Sequence, residues 1–370
     1  MATEKKKGRE FNRTDVLASL LMVKPALGRG MFVPVLSHLV LDGEGVTAYD
    51  DVVAMRAPLS TGFACIVPGD LMLRLLGTMV AEGMDMELKD DKLQVRCGKS
   101  KVDLPTMPMA AALFRHDALD SKKALGRIKV TADFLNGLTK CLLAVGNDPT
   151  HPAQMGVTLM WDDSEGGGAS MYSTDNVTLS EYALEDVDAD FLPDGVVFPT
   201  SFCQQVVSLC AQIKDEDRAL TLYKDSAVLR FSNTENVLLF CKLVAVEKAL
   251  DFPSMFNKMM PKANHKPDRL PPSWDAAFTR ASVVVDPLRP ITLVECEDDM
   301  IKLDSTSQVA KVADALEFEG GLGMQCKPFG IDPQHVLRAS KVCSRVSFQP
   351  RALVLHDDGP FTHLISHCED

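Results

Sequence analysis

The sequence has no apolar segment long enough to cross a membrane. Its longest apolar runs, such as 33–41, are far shorter than the roughly 20 residues that a membrane-spanning helix needs. No apolar stretch of the kind that a secretory signal requires follows the basic residues of 1–10, so we expect a solvated tail on a cytoplasmic protein. The ten cysteines contain no CxxC pair, which is typical of reduced, buried thiols and argues against a zinc site.

The sequence also lacks an excess of positive charge. Lys and Arg total 39 against 51 for Asp and Glu, which gives a net charge of −12. Proteins that bind nucleic acid on an open surface are usually basic, so this composition argues against that class. Hydrophobic residues make up 46% and charged residues 24%, as in globular proteins with substantial cores, and 370 residues are enough for two or three domains.

One pattern of predicted elements occurs three times along the chain. In each copy a β-rich run reaches a proline, an amphipathic helix follows, and two strands joined by a polar turn come next. The copies begin near Phe63, Val196 and Met324, at intervals of 133 and 128 residues, with predicted helices at 70–80, 201–213 and 333–343. Such regular spacing indicates an internal repeat.

A further short strand and helix precede each copy, with helices predicted over 14–23, 132–145 and 273–280. Thr14 and Thr131 are placed to cap the first two of these helices. Six helices among strands of alternating apolar residues predict an α+β fold of three repeated domains, each with two helices on antiparallel sheets.

The predicted domain boundaries follow two irregular segments. The segment 115–125 is polar, and prolines interrupt any regular element over 257–272. We therefore expect domains over 1–120 (with the short basic tail), 121–256 and 257–370, the last one including a linker.

Motifs for catalysis are incomplete. Gly98-Lys99-Ser100 is similar to the end of a phosphate-binding P-loop, but position 93 is Leu where that loop needs Gly, so we expect a polar hairpin turn. No GxSxG motif occurs, the histidines are dispersed, and acidic clusters such as 215–217 fall in predicted turns. The sequence therefore predicts no catalytic residue, no cofactor and no metal.

Several segments resemble the beta subunit of bacterial DNA polymerase III, the sliding clamp. The segment 94–108, QVRCGKSKVDLPTMP, is similar to the family's strand, Ser-Gly-Arg/Lys-Ser turn, second strand and Leu-Pro ending. The segments 34–41, 173–179 and 242–253 resemble three further family segments in the same order and spacing. The chain is identified as a divergent member of this family, with a resemblance that covers nearly everything from Phe11 onward.

The resemblance implies a processivity factor with no catalytic site of its own. In the family, two copies associate head to tail, and six domains close a ring whose twelve helices line a channel for duplex DNA. A closed ring holds DNA topologically, so weak, sequence-independent phosphate contacts suffice, and an acidic exterior is compatible with binding. The implied partners are double-stranded DNA, a second copy of the chain, DNA polymerase, a clamp loader and other proteins that carry clamp-binding peptides.

Two groups of residues are implied as sites. Bases on the predicted helices and adjoining loops are candidates for DNA binding: Arg13, Lys24, Arg29, Arg74, Lys140, Arg280, Arg338 and Lys341. Positions that match the family's apolar peptide-binding pocket, between the second and third domains, are Gln154, Thr174, Asn176, Val177, Thr178, Leu179, Pro261, His363, Leu364 and Ile365. Ordinary sheet core is the alternative interpretation of the second group.

The sequence departs from the family inside this pocket. Asn176-Val177-Thr178 replaces a Gly-His-Arg triplet, and the residues 365–368 replace a Met-Pro-Met ending. These changes should alter which linear peptide fits, because such specificity depends on pocket shape and a few polar anchors. His151-Pro152-Ala153 stands where the family has an Arg and an aromatic pair, in a loop that contacts DNA.

Two other functions remain as alternatives. A clamp-like interaction protein could bind replication factors through the peptide pocket without encircling DNA, and it would then not be retained on circular DNA. A small-molecule or nucleotide-dependent enzyme would need a constellation of polar groups that none of the motifs supplies.

Overall fold

The structure, a computed structural model, describes residues 9–119, 121–161, 168–185, 187, 195–234, 237–247, 249–260, 267–297, 299–318 and 326–368. Within these ranges the α-helices are Arg13–Val23 (α1), Gly69–Thr78 (α2), Ala132–Cys141 (α3), Thr200–Gln212 (α4), Phe252–Met259 (α5), Trp274–Val284 (α6) and Pro333–Ser340 (α7). The described residues up to Val130 and those of Gln204–Leu243 form one compact unit. A second compact unit consists of the described residues of Thr131–Val187, of 193–203 and from Val244 onward.

The first unit contains two antiparallel sheets. In order of hydrogen-bonded neighbours, the strands of the smaller sheet are Arg9–Asn12, Gly83–Lys89, Lys92–Cys97 and Ser100–Pro105. Those of the larger sheet are Cys65–Pro68, His38–Leu41, Gly45–Tyr49, Val53–Pro58, Leu238–Lys242, Ser226–Arg230, Ala219–Leu222 and Gly126–Lys129. Helix α1 packs on the larger sheet, and Val16, Leu20 and Val23 bury its inner face.

The second unit also contains two antiparallel sheets. The larger consists, in order, of Val196–Pro199, Gly156–Trp161, Ala169–Thr174, Thr178–Ala183, Phe361–Ser366, Ala352–His356, Arg345–Gln349 and Asp268–Arg269. The smaller consists of Lys311–Glu317, Met300–Thr306, Thr292–Glu297 and Cys326–Ile331. Helix α3 packs on the larger sheet and α6 on the smaller, where Trp274, Ala277, Phe278 and Ala281 form its buried face.

Two strand orders each occur three times, and this confirms the predicted repeat. In the first order, the last of four consecutive strands pairs with the first of them, as in Cys65–Pro68, His38–Leu41, Gly45–Tyr49 and Val53–Pro58. The sets that begin at Gly156 and Thr292 in the sequence have the same order. In the second order, a short strand before one helix pairs with the first of three strands that follow a later helix, as in the smaller sheet of the first unit. The α+β class with antiparallel sheets is therefore confirmed.

Three strands follow the helix in each repeat, whereas the sequence pattern predicted two. The additional strands are Gly83–Lys89, Ala219–Leu222 and Arg345–Gln349. In the third repeat Pro328 lies inside Cys326–Ile331 and does not end that strand. The helix there begins at Pro333, as predicted, because Pro is well suited to the first helical turn and Asp332 caps it by accepting from the Gln334 N–H at 2.8 Å.

Helix starts and the helix count also differ in part from expectation. Thr131 caps α3 as predicted, with its Oγ1 accepting from the Phe134 N–H at 3.1 Å. The predicted cap Thr14 is wrong, because Asn12 caps α1 by accepting from the Thr14 N–H at 2.8 Å. Helix α5 lies where the sequence was expected to begin its proline-interrupted linker, so the described ranges contain seven helices, not six.

Eight of the nine cysteines whose side chains the structure describes are thiols, as predicted. Seven of these eight are buried, and desolvation raises the pKa of Cys65 and Cys203 to about 12. Cys296, however, is disulfide-bonded, which contradicts the expectation that all ten are reduced. No helix in the described ranges is long and apolar enough to span a membrane.

Candidate functional site

A cavity of about 220 Å³ lies beside helix α5 in the second unit, and we call it the α5 cavity. Its walls come from the turn between two strands of the larger sheet, from α5 and from the last strand of the chain. The lining residues are Thr174, Asn176, Thr178, Leu179, Met255, Lys258, Met259, Arg351, Leu364 and Ser366. The apolar surfaces lie between polar groups, which is the composition of a ligand-binding pocket.

The turn at 174–178 forms a rigid wall of the α5 cavity. The Asp175 carboxylate accepts hydrogen bonds from the N–H groups of Val177 and Thr178 at 3.1 and 2.6 Å, and Thr174 Oγ1 donates to the Thr178 carbonyl at 2.7 Å. Asn176 has a φ of 72°, in the left-handed region that Gly and Asn tolerate best. This conformation explains why Asn can stand where the resemblance places a glycine.

An aromatic cluster forms the floor beneath the cavity. Tyr172 stacks on Phe252 with ring centroids 5.0 Å apart and an interplanar angle of 11°, and Phe256 packs at 6.0 Å from the same ring. Leu179 and Leu364 belong to this buried cluster and also line the cavity. The Tyr172 hydroxyl donates to Glu181 at 2.8 Å, and burial raises the pKa of the Glu181 carboxyl even though this hydrogen bond opposes the shift.

The structure brings five of the predicted pocket residues to the cavity wall: Thr174, Asn176, Thr178, Leu179 and Leu364. Gln154 lies behind them, and its Nε2 donates to Asn176 Oδ1 at 2.6 Å. Val177 is 39% exposed, and its carbonyl accepts from the Ser366 N–H at 2.8 Å. Pro261 lies outside the described residues.

Two other predicted pocket residues do not line the cavity. His363 and Ile365 alternate with Leu364 and Ser366 along Phe361–Ser366, and successive side chains of a strand point to opposite faces. Leu364 and Ser366 line the cavity, so His363 and Ile365 lie on the opposite face, where they are 1% and 0% exposed. The structure therefore places both side chains in the sheet core, and their role in peptide binding stays a prediction.

Five lining residues were not predicted. Met255, Lys258 and Met259 come from α5, and Arg351 and Ser366 come from the turn and strand at the end of the chain. The spacing of Phe252, Met255, Phe256 and Met259 follows one face of a helix, so the sequence contained a signal for α5. Arg351 carried no comparable signal, because its position depends on how the final strands pair.

The buried His363 gives the second unit a pH-dependent stability. Its Nδ1 lies 2.8 Å from Ser180 Oγ, and burial, aided by the charges of His335 and Arg338, lowers its pKa to about 3 against the opposing charge of Asp175. The unfolded chain protonates this imidazole near its ordinary pKa of 6.5, whereas the folded chain resists protonation. The contribution of the neutral His363 to stability is therefore fully present above pH 6.5, and it is lost as the pH falls from 6.5 toward 3.

We expect the unfolding free energy of the wild type to fall by about 2 kcal/mol between pH 7 and pH 5 because of His363. The decrease is about 1.36 kcal/mol for each pH unit below 6.5. Urea denaturation at the two pH values, for the wild type and for His363→Gln, measures this difference. The substituted protein should lose about 2 kcal/mol less on acidification. Equal losses in both proteins would show that His363 carries no such linkage.

Five of the eight predicted DNA-binding residues have exposed side chains on helices or adjoining loops and form no ion pair within the described residues: Lys24, Arg29, Arg74, Arg338 and Lys341. Lys24 follows the end of α1, and Lys341 follows the end of α7. Arg74 and Arg338 lie on the outer faces of α2 and α7. Arg74 also donates to the Asp70 carbonyl at 3.3 Å within α2, and Arg338 contacts His335 Nδ1 at 2.5 Å within α7, but all five side chains remain exposed.

The other three predicted DNA-binding residues are engaged within the protein. Arg13 donates to the carbonyl oxygens of Leu76 and Ala81, both at 3.1 Å, at the end of α2. Lys140 forms an ion pair with Asp357 and lies 5.4 Å above the Tyr182 ring. Arg280 forms an ion pair with Asp314 at 2.8 Å and remains about half exposed.

The P-loop-like motif and a second cavity both lie in the first unit. Gly98-Lys99-Ser100 is the predicted hairpin turn between two strands, with Gly98 at a φ of 58°. A larger cavity of about 480 Å³ in the first unit contains Asp42, but its carboxylate accepts from the buried Arg56 guanidinium at 3.0 Å, and His116 lies 3.6 Å away. Within the described ranges, no group of three or more His, Cys, Asp or Glu side chains is placed to hold a metal ion.

Solved structures of sliding clamps have the same fold as this chain. The DnaN sliding clamp (DNA polymerase III subunit beta) from Bartonella birtlesii, bound to griselimycin, superposes with a TM-score of 0.85 at 15% identity, covering 98% of this chain and 99% of that one. The Caulobacter crescentus pol III beta gives a TM-score of 0.80 at 17% identity, with 98% and 99% covered.

The Helicobacter pylori beta clamp bound to a DNA ligase peptide gives a TM-score of 0.80 at 16% identity, covering 98% of this chain and 100% of that one. The sequence matches no protein-family model and no curated protein. The fold is therefore that of the DNA sliding clamps. More narrowly, it is the fold of the bacterial DNA polymerase III beta subunit, as the sequence resemblance predicted. The sequence identities of 15% to 17% are low, as expected for a divergent form.

Proposed function

We propose that this protein is a DNA sliding clamp that encircles duplex DNA and tethers the replicative polymerase in the cytoplasm. The observation that carries the proposal is the full-length agreement with the beta-subunit fold, at TM-scores of 0.78 to 0.85. We further propose the three clamp domains 1–120, 121–256 and 257–370. In this proposal the protein increases processivity and performs no chemistry itself.

Closure of the ring is proposed to use two sheet edges. Each complete eight-stranded sheet joins one set of each strand order: Val53–Pro58 pairs with Leu238–Lys242, and Thr178–Ala183 pairs with Phe361–Ser366. The corresponding end strands of the two smaller sheets are Lys311–Glu317 and Ser100–Pro105, and no strand in the described ranges pairs with their outer edges. Unpaired edges are templates for association with another chain.

Antiparallel pairing of Lys311–Glu317 in one copy with Ser100–Pro105 in another would complete a third eight-stranded sheet. Two such junctions related by a two-fold axis close a head-to-tail homodimer in which both of these edges are paired. The ring would then hold DNA by topology, and the exposed bases of the helices, such as Arg74, Arg338 and Lys341, would supply sequence-independent phosphate contacts. A net charge of −12 is compatible with this arrangement, because few bases are needed.

The α5 cavity is the proposed attachment point for polymerase, clamp loader and other partners. A solved Helicobacter pylori clamp binds a DNA ligase peptide, which supports peptide binding as the function of this cavity. The apolar floor formed by Leu179 and Leu364 supplies burial for apolar side chains, and Asn176, Thr178 and Ser366 supply polar anchors at the wall.

Retention on circular DNA tests the proposal. The protein is loaded by a clamp loader onto a nicked circle, unbound protein is removed by gel filtration, and half of the sample is cut once with a restriction enzyme. We expect the uncut circle to retain the protein and the linear product to lose it at least tenfold faster, because a topological link ends where the DNA ends. The same circle before cutting is the matched control.

The alternative function gives a different result. A clamp-like interaction protein that does not encircle DNA would leave both substrates at the same rate and would sediment as a monomer. Either result would overturn the proposed ring. Stimulation of processive synthesis by a cognate polymerase on a primed circle then tests the tethering role.

A further inference from the structure

The charge of the α5 cavity indicates what kind of peptide it accepts, and this inference rests on the peptide-binding function proposed above. We propose that its partner carries a carboxylate next to an apolar anchor, and that Lys258 and Arg351 bind this carboxylate. The partner is therefore an acidic apolar peptide.

Within the described residues, the two cations of the cavity have no acidic partner. Lys258 and Arg351 are both exposed and both line the cavity, and the lining contains no Asp or Glu. In the described part of the chain neither forms a salt bridge, although Lys140, Arg280 and Lys311 each do. In a protein with 51 acidic against 39 basic residues, two cations on one cavity without a carboxylate form a local excess of positive charge.

The carboxylates at the wall and beneath the floor of the cavity already accept hydrogen bonds within the protein. Asp175 accepts from the Thr178 N–H at 2.6 Å and from Thr178 Oγ1 at 2.9 Å, and it holds the turn of the cavity wall. Glu181 accepts from the Tyr172 hydroxyl at 2.8 Å beneath the floor. A ligand is therefore the natural source of negative charge for Lys258 and Arg351.

The apolar wall of the cavity selects only weakly for the shape of a ligand's side chains. Met255 and Met259 line one side, and methionine is unbranched and adapts to side chains of different shape. Such a wall provides burial but little discrimination, so selectivity falls on the charged groups. Arg351 can bind a carboxylate through two parallel N–H groups, whereas Lys258 acts as a point charge.

Binding of capped synthetic peptides tests the inference. Each peptide carries two adjacent leucines and one variable residue, Asp, Asn or Lys, on either side, and its affinity for the full chain is measured by fluorescence anisotropy. We expect the Asp peptide to bind about tenfold more tightly than the Asn peptide, the Lys peptide to bind weakest, and the preference to weaken with salt. Peptides with a free C-terminal carboxyl and Asn at the variable position distinguish a terminal carboxylate from a side-chain one.

Charge reversal provides the decisive comparison. The double variant Lys258→Glu with Arg351→Glu should prefer the Lys peptide over the Asp peptide. Lys214→Glu changes an exposed lysine of the first unit that does not line the cavity, and it should keep the wild-type preference. Met259→Trp, which fills the cavity, should weaken all three peptides. This last variant reports on the proposed site separately from its charge preference.

The outcomes separate the two proposals. Equal affinities for the Asp and Asn peptides, both lost in Met259→Trp, would overturn the acidic preference and leave the peptide site in place. Binding that Met259→Trp does not weaken, or no binding of any peptide to the wild type, would overturn the peptide site itself.

Discussion

Of the two variants Val312→Pro and Ala313→Pro, one is expected to turn the proposed dimer into a monomer while its fold stays intact. Both residues lie on the strand Lys311–Glu317, whose inner edge pairs with Met300–Thr306. Neighbouring residues of a strand direct their N–H groups to opposite edges, so one proline removes an N–H from the outer edge and the other removes one from the existing sheet. The proline ring also blocks the approach of a strand to that edge.

The outward-facing variant should weaken dimerisation by about a hundredfold or more, because the new junction would lose a ladder hydrogen bond and close strand contact. Sedimentation at micromolar concentration measures the change, and urea denaturation identifies which proline disturbs the sheet. The inward-facing proline is the matched control for the substitution itself. If the proline that spares stability leaves a dimer that is still retained on circular DNA, this edge does not close the ring.

The repeat was predictable because each copy combines strong local signals. The strand Lys92–Cys97 shows such a signal, since apolar residues alternate along it up to Gly98, whose left-handed φ of 58° makes the turn. Helix α4 lies within one residue of its predicted span, since Pro199 precedes it and its apolar residues recur at helical spacing. The additional strands, such as Ala219–Leu222, are short, and their pairing depends on partners distant in sequence.

The candidate site was predictable in position but not in detail. Residue-by-residue matching selected Thr174 and Leu364, which line the α5 cavity. It also selected His363, which lies on the opposite face of the strand from Leu364 because adjacent residues alternate. Helix α5 was missed because prolines after residue 260 suggested a linker. Its start signals were present in Asp251, which caps the helix by accepting from the Ser254 N–H at 3.1 Å, and in Pro253 within the first turn.

Phe252→Ala is expected to destabilise the protein by about 3–5 kcal/mol and to abolish peptide binding. Phe252 is 1% exposed, and its ring stacks on Tyr172 at 5.0 Å, so its removal leaves a cavity beneath the first turn of α5. Helix α5 has eight residues and is too short to be stable without packing. Loss of this contact should therefore release Met255, Lys258 and Met259 from the cavity wall together.

Phe278→Ala is the matched control, because Phe278 is also 1% exposed and its ring packs at 4.7 Å from Trp274 in α6, away from the cavity. Both substitutions should lower the unfolding free energy in urea by similar amounts. Only Phe252→Ala should remove affinity for the leucine-containing peptides under conditions where both variants are folded. Equal loss of affinity in the two variants would mean that binding follows overall stability, whereas a loss confined to Phe252→Ala would identify the packing of α5 on Tyr172 as the contact that forms the peptide site.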